Sequence, residues 1–496
     1  LALSVVDQAS SGLGGGGFMV IYRAKEKKAF ALDFRETAPA ASRRELYMKD
    51  VQPVSVRSLT GPLRVAVPGE VAGLIAARKR FGSLPLPVLA APAIKLAGAG
   101  FPLDPALRVA IERQQANMNR FADLGRIYMP RGELPKEGDL IRQPELAETL
   151  KAIAKNGAAD FYSGWIGQAI VDTVRKNGGV MTAEDLKNYQ PAWRELLVAT
   201  YGRHTVITMP PPSSGGVAIL AMLNVLEGYL LERVKHNSPE YLQLLAEAMK
   251  HAFADRAQFL GDPDFVHVPI RKLTAKEYAA WISGRISWDK THPPSFYGYY
   301  NYHAEKGGTT HFSVIDRFGN AVACTQSVNT RFGSKLLVRA AGIVLNNEMD
   351  DFAIHPEVGN VYGLVGNEAN SLKPGKRPLS SMSPTIVLRG DRPELVVGGA
   401  GGPRIITATL QTIVNVLDFG MPVASAVAAP RVHHQWLPDR LNVEPKIAAE
   451  TRAALAERGH VLREQTSLGV VQAITWEGAV MNGAADPRKV ERARTE

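Results

Sequence analysis

Residues 306–316 read KGGTTHFSVID. Two glycines interrupt the chain, two threonines follow, and an alternating, β-branched run begins at once, which is the signal of a strand. The run ends in Asp316-Arg-Phe-Gly-Asn320 and resumes as AVACTQSVNT. A three-residue loop with glycine at its left-handed position is a favoured hairpin connection, and Arg317-Phe318-Gly319 fits it. If Asp316 faces Asn320, Thr309 stands opposite Ser327, with Asn329 two residues further along the same face. Directly opposed residues bring their Cβ atoms to about 4.5–5.5 Å. A slip of one residue would undo this arrangement.

A threonine hydroxyl is a weak nucleophile unless a base helps it, and one available base is the residue's own α-amine. A free α-amine titrates near about 7.7–8.0, so part of it is neutral at pH 7. That solution requires Thr309 to be an N-terminus, and therefore a cut after Gly308. The glycine pair gives an attacking hydroxyl room and permits unusual backbone geometry. The step is attack of the Thr309 hydroxyl on the Gly308 carbonyl, followed by hydrolysis of the ester, which frees the amine. A plain strand of β-branched residues accounts for the same stretch without any chemistry.

Outward from the hairpin, GFMVIYRA and AFALDFRE, joined by a charged turn, read as strands within residues 1–35. Residues 69–260 read as mostly helical. Within them Leu242, Leu245, Met249, Ala252 and Phe253 mark one face of a helix over 240–260. TVITMPPPSSGG reads as a strand ending in a rigid turn before an apolar helix. Residues 285–308 are rich in turn formers and tyrosine and lack periodicity, which predicts a mobile segment. Strands follow at 309–330, 341–346, 383–389 and 394–399, and a helix at 403–418. There is no internal repeat. Strands at both ends with helices between predict sheets covered by helices.

The chain has 496 residues, 45% of them hydrophobic, and a net charge of +10. Its lysines and arginines are dispersed, so the excess reads as a solvated basic surface that attracts small anions rather than a nucleic-acid site. No run of 18 apolar residues appears, so no transmembrane segment is expected. The first residues, LALSVVDQ, are already apolar, with no basic segment or small-residue cleavage site, so the sequence as given is not expected to include a signal peptide. The single cysteine, Cys324, forms no intrachain disulfide and reads as a buried, inert strand residue. Gly12-Leu-Gly-Gly-Gly-Gly17 satisfies the G-x-G-x-x-G pattern, yet a strand follows it where a dinucleotide site needs a helix; close backbone approach is the better reading. His433 and His434 have no partners at metal-ligand spacing and read as structural. There is no G-x-S-x-G elbow and no Walker A loop. No metal and no cofactor are expected.

GLGGGGF, DFRETAP, LTGPLRVAVPGEVAG, KNGG, MPPPSSGG, GDPDF, TTHFSVID, LNNEMDDF, NVYGLVG, KRPLSSMSPTI, GGPRIIT, PRVHHQWLP and GAADPR together cover nearly the whole chain. In these segments it resembles the γ-glutamyltranspeptidase family of N-terminal-nucleophile hydrolases. The resemblance implies an α+β fold, a four-layer αββα sandwich. It implies autocleavage between Gly308 and Thr309 into a large subunit, 1–308, and a small subunit, 309–496, which stay together as a heterodimer in one integrated fold. Thr309 would then attack the γ-carbonyl of glutathione or another γ-glutamyl compound, and the acyl-enzyme would pass to water or to an amino acid or dipeptide acceptor. A periplasmic or secreted location is implied with it.

The same resemblance assigns expected roles. Gly401 and Gly402 match the oxyanion position, where free amides ahead of a helix favour developing negative charge. Arg35 matches the ligand of the substrate α-carboxylate, with Ser380 and Ser381 sharing it. Glu348 and Asp351, with Asn329, match the acceptors for the α-ammonium. Ser327 stands where many members have threonine. Residues 353–372 resemble a lid with Tyr362 as its gate. Two alternatives remain at this level: an acylase of the cephalosporin or glutaryl type, and an uncleaved, non-catalytic amino-acid-binding protein.

Overall fold

The computed structural model describes residues 1–49, 52–53, 60–298, 309–354, 360 and 362–489. Two antiparallel sheets face one another. The first runs, in spatial order, Thr310–Ile315, Ala321–Ser327, Gly16–Arg23, Lys28–Phe34 and Ala192–Arg194. The second runs Val480–Ala485, Val470–Glu477, Arg392–Ala400, Thr385–Arg389, His204–Thr208 and Leu197–Tyr201. Each sheet therefore contains strands from both sides of position 309.

The period of two decides which residues meet. Phe18, Val20, Tyr22, Ala321 and Ala323 of the first sheet pack between the sheets against Ile207, Ile386, Leu388 and Val396 of the second. Met19, Ile21, Leu32, Phe34 and Cys324 face the other way, onto Leu74, Ala77 and Phe81 of helix Glu70–Phe81. Both faces of Gly16–Arg23 are thus covered, which explains its unbroken apolar run. Each fully buried side chain of this kind contributes about 1.5–3 kcal/mol. Behind the second sheet lie helices Gly215–Glu227, Pro239–Phe259 and Arg404–Leu417. Ser238 caps the middle one by accepting from the Tyr241 amide, with Pro239 at its first position. The result is helix, sheet, sheet, helix, the four layers expected. A further helical lobe, including Leu86–Ala99, Pro144–Asn156 and Trp165–Lys176, packs beside them around its own core.

The glycine run behaves as a close-approach device. A Cβ on Gly15 would lie 2.1 Å from the Ser327 carbonyl oxygen, and one on Gly17 2.3 Å from that of Thr325. Side chains there would push the central strand away from its neighbour.

Two expectations change. The largely helical reading of 69–260 missed the strands Ala192–Arg194 and Leu197–Tyr201; the second pairs with His204–Thr208 across a turn containing Gly202, whose φ is +53°. That glycine after LLVATY was the available signal. Within 285–308, the described part, 285–298, is held in place. Trp436 Nε1 donates to the Pro294 carbonyl at 2.9 Å, and Tyr297 Oη donates to Glu247 at 2.5 Å. Its aromatic residues serve as anchors, which a periodicity reading does not register. Among the described residues no helix is long and apolar enough to cross a membrane.

Candidate active site

Thr309 precedes the edge strand of the first sheet, and the hairpin has the expected register. Thr310 pairs with Gln326 and His311 with Thr325. Asp316 and Asn320 close the loop at 3.0 Å, with Gly319 at φ +86°. Thr309 is buried, and its Oγ1 lies 3.3 Å from Ser327 Oγ. Ser327 Oγ also accepts from the Asn329 amide at 2.8 Å. The neighbouring Thr310 faces away and donates its hydroxyl to Asp7 at 2.6 Å. Gly308 lies outside the described residues, as do 355–359 and 361 of the expected lid.

Thr309 shares a cavity with Arg35, Ser327, Asn329, Asp351, Tyr362, Ser380, Ser381 and Gly402. Nine of the eleven candidates among the described residues therefore meet. Glu348 sits just behind, in contact with Arg35, and Gly401 stands behind Gly402.

Arg35 follows the strand Lys28–Phe34 and is 1% exposed. It is already paired: Nη1 lies 2.6 Å from Glu348 Oε2 and Nη2 2.5 Å from Asp351 Oδ2, while Nε donates to the Pro378 carbonyl at 3.1 Å. A third carboxylate, Glu36, lies 3.5 Å from Nη1. Burial works against the arginine's charge, but Glu348, Asp351 and Glu36 outweigh it and hold Arg35 protonated. Three carboxylates cannot all be ionised around one cation in a dry site. Burial pushes Glu36 up to about 8 despite Arg35. Burial, with Glu36 and Asp351 adding repulsion, likewise lifts Glu348 far above the usual carboxylate range against the pull of Arg35. Sequence reading assigned no role to Glu36, although it lies within the DFRETAP segment.

Several polar atoms around this cluster are buried without a hydrogen bond: Asn329 Oδ1, Ser381 Oγ and Glu348 Oε1, the other Glu348 oxygen being taken by Arg35. They are acceptors on the Glu348 side and a hydroxyl on the Ser381 side. Such orphans cost free energy unless something completes them. An ammonium fits the first group and a carboxylate the second.

Ser380 is fixed from below. Its carbonyl accepts from both the amide and the hydroxyl of Ser214, at 2.7 and 2.6 Å, and Arg256 Nε donates to Ser214 Oγ at 3.0 Å. The MPPPSSGG turn, which carried no assigned role, is thus the support of the serine pair. Tyr362 is buried, and its hydroxyl donates to the Asn329 carbonyl at 2.8 Å. Its ring closes on Gly402, where a Cβ would lie 2.2 Å from Cδ1. Gly401 and Gly402 have φ of +129° and +62° and precede helix Arg404–Leu417. Neither amide donates to a protein group among the described residues, so both N–H groups are open to an acceptor.

His311, two residues from Thr309 on the same strand face, is no base for it. Its Nδ1 pairs with Thr325 Oγ1 at 2.7 Å and its Nε2 with Ser313 Oγ at 3.1 Å, and burial pushes it down to about 3. Cys324 is buried on the opposite face. His433 and His434 are structural: His433 contacts Thr407 Oγ1 at 2.8 Å, and His434 contacts Asp439 at 3.3 Å. No group of three potential metal ligands occurs among the described residues.

Two facing sheets between helical layers, with a threonine at the head of an edge strand, define an N-terminal-nucleophile hydrolase fold. A family model described as Gamma-glutamyltranspeptidase matches residues 1–495. The chain is 43% identical to the glutathione hydrolase proenzyme of Escherichia coli strain K12, over 99% of this chain and 85% of that protein. Among solved structures, a cephalosporin acylase from Bacillus halodurans superimposes with a TM-score of 0.85 at 27% identity, covering 98% of this chain and 88% of that one. A γ-glutamyltranspeptidase from Pseudomonas nitroreducens, complexed with L-DON, gives 0.57 at 35% identity, with 60% of this chain and 88% of that chain covered. The chain belongs to the γ-glutamyltranspeptidase family.

Proposed function

We propose that this protein is an autoprocessed γ-glutamyltranspeptidase and glutathione hydrolase with Thr309 as its nucleophile. The observation that carries the reading is the meeting of Thr309 with one buried arginine, two serines and Asp351 around a single cavity, with Glu348 paired to that arginine just behind it. This set matches the two ends of an α-amino acid and leaves its side-chain carbonyl for the threonine.

In processing, the Thr309 hydroxyl attacks the Gly308 carbonyl, and hydrolysis of the ester leaves a large fragment, 1–308, and a small one, 309–496. The P. nitroreducens chain supports the division, since it covers about three fifths of this sequence, as 308 of 496 residues do. The fragments stay together because both sheets are shared between them.

In turnover, the freed α-amine accepts the Thr309 proton while Oγ1 attacks the γ-carbonyl. The Gly401 and Gly402 amides stabilise the oxyanion, and the proton passes to the departing amine. Water or an amino acid or dipeptide acceptor then takes the acyl group. Arg35, Ser380 and Ser381 hold the α-carboxylate; Glu348, Asp351 and Asn329 take the α-ammonium. Tyr362 gates the site. The test is release of nitroaniline from a γ-glutamyl p-nitroanilide, with and without dipeptide, beside a denaturing gel. No release, or turnover by a chain that remains whole, would sink the mechanism. A periplasmic or secreted location belongs to the same proposal on the strength of the resemblance, and cell fractionation tests it.

An acylase reading, which the B. halodurans likeness invites, is disfavoured by the buried Glu348–Asp351 pair, since an acyl group without an ammonium has no use for it. An uncleaved binding protein would keep the clamp and leave Thr309 without a purpose.

Two further results are expected. Gly402→Ala places a methyl into the Tyr362 ring at a left-handed backbone position. It should lower kcat/KM on the order of 100-fold, the scale of one lost oxyanion donor; a variant within threefold of wild type removes Gly402 from the site. Glutamate carries the same zwitterionic head, and its ammonium is a second cation for the Glu36–Glu348 pair, whose carboxyls burial pushes up. Binding should ionise that pair and release a proton, so affinity rises with pH across the neutral range, by up to about tenfold per unit for each proton released. Calorimetry in two buffers of different ionisation enthalpy reads this directly, and identical heats in both would refute it.

A further inference from the structure

Five arginines are buried among the described residues. Arg35, Arg64, Arg377 and Arg431 each pair with a carboxylate. Arg256, on the helix Pro239–Phe259 and 4% exposed, has no carboxylate partner among the described residues. Its guanidinium is instead anchored by a hydrogen bond from Nε to Ser214 Oγ, at 3.0 Å. Burial pulls its charge down, to about 10, which leaves it protonated at neutral pH. A buried cation without its own acid is costly, and the fold places this one behind the serine pair of the Thr309 cavity.

A chain of hydrogen bonds links it to that wall. Ser214 Oγ, accepting from Arg256, donates to the Ser380 carbonyl at 2.6 Å, and the Ser214 amide donates to the same oxygen at 2.7 Å. A trans peptide sets its C=O and the following N–H in opposite directions. With the Ser380 oxygen held against Ser214, the Ser381 N–H points away from Ser214, and it donates to no protein group among the described residues. Ser381 Oγ is buried and also lacks a hydrogen bond. Both serines line the cavity that holds Thr309 and Arg35. The polarity of the chain is therefore fixed: guanidinium, hydroxyl and peptide each turn a positive end away from Arg256, and in a dry site such links polarise one another. We infer that Arg256 is a positioning residue for the substrate carboxylate: through Ser214 it fixes and polarises the Ser380–Ser381 peptide, so that the serine pair offers its donors to an anion. The inference rests on the γ-glutamyl reading above and adds to Arg35 a second cation, one that acts without touching the ligand.

The test compares two donors on the processed enzyme: γ-glutamyl p-nitroanilide, and 4-aminobutanoyl p-nitroanilide, which is the same donor without its α-carboxylate. Arg256→Gln should raise KM for the γ-glutamyl anilide about tenfold, the scale of one charge-assisted hydrogen bond, with kcat within about twofold of wild type. Its kcat/KM on the 4-aminobutanoyl anilide should be unchanged. Arg256→Lys, which restores the charge without the planar fork, should recover part of the lost affinity. Should the glutamine protein fail to process, Ser214→Ala carries the same test, because it breaks the link and leaves both the cation and its helix in place; KM should again rise for the γ-glutamyl donor alone. An unchanged KM in these variants overturns the inference, as does a fall in kcat at constant KM. A loss shared equally by the two donors also overturns it and marks Arg256 as structural, and a lysine variant no better than the glutamine one shows that the charge has no part in binding. Wild-type protein inert towards the γ-glutamyl anilide would instead sink the γ-glutamyl reading.

Discussion

Thr309→Ala protein should remain a single chain and lose γ-glutamyl hydrolysis by a factor on the order of 10⁴ or more, the scale seen when a nucleophile is removed. The size of the effect follows from what surrounds Thr309. His311 is held by Thr325 and Ser313, Cys324 is on the far face of the sheet, and Thr310 points at Asp7. Ser327 Oγ is 3.3 Å from Thr309 Oγ1 but on the adjacent strand, and the other hydroxyls of the cavity, Ser380 and Ser381, are the proposed ligands of the substrate carboxylate. No neighbour is placed to substitute. Thr309→Ser keeps the hydroxyl and should process, more slowly, because the lost methyl loosens a packed side chain. Mass spectrometry of both variants decides the matter: two fragments from the alanine protein would show that another residue cuts the chain.

Replacing Arg35 is expected to act twice. Arg35→Met keeps most of the volume and leaves Glu36, Glu348 and Asp351 facing one another without their cation. Removing one partner from a buried ionic group costs about 3–5 kcal/mol of stability. It also removes the contact to the substrate α-carboxylate, about 1.5–3 kcal/mol, or roughly 10- to 150-fold in kcat/KM. Arg35→Lys separates the two. A single ammonium restores charge among the three acids and should recover much of the stability, but it lacks the fork that reaches Glu348, Asp351 and the substrate together. Thermal unfolding should therefore rank wild type, Lys, Met, while kcat/KM should be low in both variants. A substrate lacking the α-carboxylate should be indifferent to the change. Should Arg35→Met turn over the γ-glutamyl anilide within threefold of wild type, Arg35 is not the carboxylate ligand.

This double effect was not visible in the sequence. DFRETAP and NNEMDDF marked an arginine and two acids as a clamp, with the arginine for the carboxylate and the acids for the ammonium. The folded protein brings those charges into contact with one another, because Arg35 and Asp351, 316 residues apart, arrive at one buried point. On the proposed reading the clamp is preassembled as an ion cluster, and a zwitterionic ligand would exchange partners within it rather than fill separate subsites. Glu36 enters for the same reason.

The sequence by itself determined the hairpin, its register and the position of Thr309 opposite Ser327. Those features depend on short-range rules: a left-handed glycine in a three-residue loop, and side chains that alternate with a period of two. Element order also predicted sheets covered by helices, while the four layers came with the family resemblance. Only the tertiary structure decided which acids share Arg35, which of them burial pushes above the usual carboxylate range, and why His311 is withheld from Thr309. Each of these depends on groups from distant segments meeting in a space closed to water. There the cost of a charge depends on its neighbours and its burial, and no local pattern in the chain encodes either.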